Sequence, residues 1–137
     1  MIMLRAVIVA VVLAAGSNPA MARSKAAEYL VAKQIAEACG GERGRIDPGA
    51  VIERDLTGDD KADLVISHEG ITCGNGGRSS FCGAQVCAVN IYVRQGALLV
   101  LEREMLGAGV NVRGRTIHMF AHGGKPGTVT WNGREFQ

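Results

Sequence analysis

Apolar residues fall at two different spacings along this chain. Between 24 and 38, Ala27, Val31, Ile35 and Ala38 recur every three or four residues with Leu30 beside them, which predicts one helix with a single apolar face. Lys25, Lys33, Gln34 and Glu37 fall off that face, Ser24 is placed to cap the first turn, and Gly40-Gly41 supplies the stop. Downstream the period shortens to two. Strands are expected over 50–56, 62–67, 88–94, 97–105 and 116–122. In 88–94, Val89, Ile91 and Val93 share one side, and Asn90, Tyr92 and Arg94 the other. Gln95-Gly96 is a turn signal joining two strands, and a last hairpin is expected from 128–131 and 134–136 across Asn132-Gly133. The pattern predicts an α+β fold, mostly β: an N-terminal helix packed on an antiparallel β-sheet meander.

The first residues obey neither rule. Arg5 precedes an apolar run from Ala6 to Ala15, followed by small residues up to Ala20-Met21-Ala22, the layout of a cleavable secretory signal. The run is about half the roughly 20 residues a bilayer span needs. Residues 1–22 are therefore expected to be a signal peptide and 23–137 a single mature domain, periplasmic or secreted, with no membrane span after cleavage. Cleavage removes Arg5, leaving 14 basic against 13 acidic side chains, scattered rather than clustered. A net charge near +1 without a basic patch argues against nucleic-acid binding.

Export changes how the four cysteines read. Cys39, Cys73, Cys82 and Cys87 form an even set, which in an oxidising compartment implies disulfides with three possible connectivities. The four residues between Cys82 and Cys87 can fold back on themselves, favouring Cys82–Cys87 and Cys39–Cys73. Zinc bound by Cys73, Cys82, Cys87 and His68 competes, but the cysteine spacings do not match the tight pairs of structural zinc sites.

The densest chemistry lies in Asp55-Leu56-Thr57-Gly58-Asp59-Asp60-Lys61-Ala62-Asp63. Asp55, Asp59 and Asp63 stand at positions one, five and nine, with Thr57 at three and the Lys61 carbonyl at seven. Alternate residues of a curled loop can converge on calcium, which takes six to eight oxygen ligands. An EF-hand would carry glutamate at position twelve, but Ile66 stands there, so the loop runs straight into a strand with Leu64-Val65-Ile66 entering the core. The segment from Asp55 to Ile66 resembles the calcium loop of integrin-type FG-GAP repeats, a resemblance that implies structural Ca2+. Those repeats carry asparagine or aspartate at position three and glycine at six. Here Thr57 is a weaker ligand, and Asp60 must adopt a left-handed backbone. More loosely, Cys39 to Arg94 is similar to small exported bacterial proteins of uncharacterised function, a resemblance that implies a periplasmic location and no activity.

The long loop 70–83, rich in glycine and pinned by cysteines, is the candidate binding loop, with Arg78 and Phe81 as its anchors. His118 and His122 are about 13 Å apart along a strand, too far to share a metal, and Ser79 and Ser80 have no base marked in the sequence. With no catalytic motif, no catalytic residues are assigned and an enzyme is the less favoured reading. The expectation is a non-catalytic module binding an envelope protein or a glycan. The alternatives are an inhibitor of a lytic enzyme or protease, and a small secreted hydrolase. The hydrolase would gain from a histidine placed against Ser79 or Ser80.

Overall fold

The computed structural model describes residues 23–137, and the signal-peptide expectation for residues 1–22 lies outside them. The helix, α1, spans Lys25–Ala38. Ser24 caps it, its hydroxyl accepting the Ala27 amide at 3.2 Å. Three short elements follow: strand β1 (Gly44–Ile46), a 3-10 turn (Pro48–Ala50) and β2 (Val51–Arg54). Next come β3 (Asp63–Ser67), a second 3-10 turn (His68–Gly70) and β4 (Ile71–Cys73). The chain ends with β5 (Cys87–Gln95), β6 (Leu98–Arg113), β7 (Thr116–Phe120) and β8 (Pro126–Val129).

Six strands form one antiparallel sheet in the order β2-β3-β5-β6-β7-β8, and β1 pairs separately with β4. This is the α+β, mostly β meander that the two spacings predict. β3 is covered on both faces, and Leu64, Val65 and Ile66 are each 0% exposed. Burial of each such side chain contributes roughly 1.5–3 kcal/mol. On one face Leu64 and Ile66 pack with Ala27 and Val31 of α1 and with Tyr92. On the other, Val65 meets Val89, Ile91 and Val93, and Ile117, Met119, Val129 and Phe136 close the layer. β6 makes this closure possible. Its first part pairs with β5 as far as Gly107, and its second pairs with β7 from Ala108. A Cβ at Gly107 would press on the Met119 side chain, so a larger residue at this crossover would force Met119 to shift.

Several expectations need correction. β6 runs well past 105, because the chain passes from one partner strand to the next without a turn. β7 stops at Phe120, leaving His122 in the following turn. β8 begins at Pro126, and the final hairpin is reduced to a Trp131–Phe136 bridge flanked by paired backbone groups. Its turn sits on Gly133-Arg134, one residue later than expected, because the Asn132 side chain accepts the Arg134 and Glu135 amides. Gln34, Asn90 and Tyr92, read as polar-face residues, are buried, because α1 covers that face of β5.

The disulfides are Cys39–Cys73 and Cys82–Cys87, and no described cysteine is free. The zinc reading is thereby overturned, since all of its thiolate ligands are consumed. Cys39–Cys73 ties the end of α1 to β4 across a separation of 34 residues. Loop-closure entropy assigns it roughly 3–4 kcal/mol, and about 2 kcal/mol to the short bridge.

Candidate functional site

The acidic segment leaves β2 at Arg54 and re-enters the sheet at Asp63, so one end of the β2–β3 connection is fixed by the core. Asp55 organises its first turn. Its Oδ1 accepts the amides of Thr57 (3.1 Å) and Gly58 (2.7 Å), and its Oδ2 accepts that of Asp60 (2.9 Å). Burial disfavours the Asp55 carboxylate, but those three amides and Arg115 outweigh it and hold its pKa below the ordinary carboxylate value. Asp59 Oδ1 accepts the Lys61 amide at 3.0 Å. Asp63 is 0% exposed, and its two oxygens accept the Leu56 amide at 2.7 Å and the Arg94 amide at 2.9 Å.

Carboxylate oxygens of Asp55, Asp59 and Asp63 lie within 4.8 Å of one another. Two oxygens on opposite sides of one calcium ion, each about 2.3–2.6 Å from it, are about 4.6–5.2 Å apart, so the three fit one coordination sphere. Thr57 Oγ1 is buried without a hydrogen-bond partner. Asp60 is the one described non-glycine residue with positive φ, at 63°, the left-handed position expected of it. Gly58 also has positive φ, 91°, and the Arg115 guanidinium leans against it. Arg115 Nη2 lies 3.9 Å from Asp55 Oδ2, a long and half-exposed pairing that neutralises little of the loop. This donor set could hold a hard divalent cation. Lys61 is exposed, with its amide committed to Asp59.

Arg94 anchors the far side of the loop. Its guanidinium reaches the Ala62 carbonyl (3.1 Å), the Ser24 hydroxyl (3.1 Å) and Glu53 (3.6 Å), joining β5 to the helix cap and β2. A cleft of about 910 Å3 runs past these groups and is lined in part by Val51, Ile52, Lys61 and Arg94. The Asp55, Asp59 and Asp63 carboxylates are not among its walls.

The glycine-rich loop begins as β4 and is held by both disulfides. Arg78 is exposed, and its guanidinium bonds back to the Gly83 carbonyl (3.0 Å) and to Cys87 Sγ (3.4 Å), bracing the loop. Phe81 is 48% exposed and sets its ring edge-on to His68, 5.3 Å between centroids.

His68 changes the reading of this region. The sequence marked no base for Ser79, yet His68 Nδ1 lies 2.7 Å from Ser79 Oγ. The other ring nitrogen, Nε2, lies 2.7 Å from Gln34 Oε1, which also accepts from Asn90 Nδ2 at 2.9 Å. Gln34 Nε2 donates to the Tyr92 hydroxyl at 3.1 Å. Burial pushes the His68 pKa below its usual value, against a weaker opposing pull from Glu37. Sequence reading missed this network, because Gln34 falls off the apolar face of α1 by spacing and only the fold buries it against its partners.

No protein-family model, curated protein or solved structure matches the chain. Function therefore rests on these sites. Two disulfides fit an oxidising, exported setting, and no helix among the described residues is long and apolar enough to cross a membrane.

Proposed function

We propose that this chain is an exported, disulfide-braced binding module whose fold is stabilised by calcium in a loop of the FG-GAP kind. The observation that carries the reading is the convergence of Asp55, Asp59 and Asp63 within one coordination sphere. The orphaned Thr57 Oγ1 supports it, and the Lys61 carbonyl would complete the set. Calcium would link the start of β3 to the end of β2 and relieve repulsion among three carboxylates. Calorimetric titration of the mature protein with calcium tests this. One ion is expected to bind per chain, and Asp55→Asn with Asp59→Asn is expected to abolish binding. Equal heats from wild type and the double variant would overturn the site.

The same module would present loop 74–82 to an envelope protein or a glycan, using the exposed face of Phe81. Preorganisation by the two disulfides supports this, because less ordering remains to be done on binding. Recovery of one set of envelope partners by wild type and its loss with Phe81→Ala is the expected result. Equal recovery would remove the loop as the contact surface.

The Ser79–His68 contact favours a second reading, a small hydrolase. Ser79 is only 3% exposed, however, and its oxygen also accepts the Phe81 amide at 3.1 Å. A substrate carbonyl must come within about 3–3.5 Å of a nucleophile, and burial of Ser79 leaves no such approach from solvent. Covalent labelling of Ser79 by a fluorophosphonate would establish the hydrolase. Absence of labelling is expected.

A further inference from the structure

We propose that His68 is an acid-sensitive latch for the glycine-rich loop: neutral imidazole holds segment 74–82 against the helix, and protonation releases it while the disulfides keep the rest of the fold in place.

Gln34 Oε1 can only accept, so the proton between it and His68 sits on Nε2. Nδ1 is then an acceptor, and the Ser79 hydroxyl donates to it. Ser79 Oγ in turn accepts the Phe81 amide. Every group in the run from Phe81 through Ser79 and His68 to Gln34 is satisfied in one direction, and only with a neutral ring. A proton on Nδ1 reverses the contact. The Ser79 hydroxyl hydrogen must then turn into a buried space, and His68, 1% exposed, must carry a charge there.

Neighbouring charges compensate only weakly. On α1, Glu37 is exposed and acts only from a distance. On the same 3-10 turn, the Glu69 carboxylate accepts the Gly109 amide at 2.8 Å. From β5 come Asn90 and Tyr92, the latter kept neutral because burial raises its pKa. From β6 comes Glu104, exposed and opposite Asn90. At the neighbouring 3-10 turn Asp47 pairs with Arg45, and in the loop Arg78 is turned to Gly83 and Cys87.

The ends of the segment are held separately, where the Gly74 amide bonds the Arg43 carbonyl (2.6 Å) and the Ala88 amide bonds the Phe81 carbonyl (2.9 Å). Ser79 carries the segment in which the Ser80 amide bonds the Ala38 carbonyl (2.9 Å) and Phe81 covers the ring. The segment lies between Cys73 and Cys82, each bridged to another element, so opening is confined to it.

Amide exchange between pH 7.5 and 5, corrected for its intrinsic pH dependence, tests the latch. Exchange at Ser80 and Phe81 is expected to accelerate about tenfold per pH unit below about 6.5, the limit for one proton taken up on opening. Amides of β6 and β7 should stay protected. The acceleration should track the His68 ring resonances in the same NMR samples and vanish in His68→Gln. Loop protection that stays flat while the ring titrates would overturn the latch, as would acceleration that persists in His68→Gln. If that variant fails to fold, comparing ring and amide midpoints in the wild type decides alone.

Discussion

Asp63 sits where the sheet and the acidic loop meet. It is fully buried and holds the amides of Leu56 and Arg94, one on each side of β3 in space. Asp63→Ala would orphan both donors. At about 1–3 kcal/mol for each unsatisfied group, the expected loss is about 2–6 kcal/mol in urea unfolding without calcium, and larger in calcium, because a ligand of the proposed site is lost as well. Asp60 offers the opposite test. Glycine at this left-handed position removes roughly 1–2 kcal/mol of steric strain and returns about 0.5–1 kcal/mol in unfolded-chain entropy. Asp60→Gly is thus expected to gain about 0.5–1 kcal/mol, read as a raised melting temperature. The Asp60 backbone was expected from the FG-GAP resemblance, whose loops carry glycine at position six, and the structure gives it positive φ. The Ser79–His68–Gln34 chain was not legible in the sequence, because it joins α1, a 3-10 turn and a loop that come together only through β5 and the disulfide at Cys73.

At the level of elements, alternation located β3, β5 and β7 to within a residue or two, since each has one or both faces in a core. It failed at β6, whose exposed Leu98, Leu101 and Leu106 carry no burial signal. It also failed at Gln34, Asn90 and Tyr92, where one helix turns an outward face into an inner one. The two bridges act on different elements. Replacing Cys39 and Cys73 by alanine releases α1 from β4, with an expected loss of roughly 3–4 kcal/mol. Replacing Cys82 and Cys87 should lose about 2 kcal/mol and loosen mainly the loop. Equal losses in denaturant melts would contradict this division.

For the whole molecule, His68 and Asp55 each contribute a step to the response to acid. Burial depresses the His68 pKa below 6.5, so its contribution is intact above that value and is lost as pH falls toward the folded-state pKa. Asp55 is depressed from 3.8, so its contribution survives above that value and disappears only as pH falls through the lower, folded-state pKa. Stability is therefore expected to be flat from pH 7 to 8, to decline first below about 6.5 and to decline again below about 4. His68→Gln should remove the first decline and leave the second. The calcium site proposed for the Asp55–Asp63 loop would stabilise the whole fold. Its most direct test is the melting temperature of the mature protein in calcium and in EDTA. Calcium at a hundredfold excess over its Kd should add about 2.7 kcal/mol, roughly 10 °C at about 4 °C per kcal/mol, and Asp55→Asn with Asp59→Asn should erase the difference. Identical melting in calcium and EDTA would contradict the account.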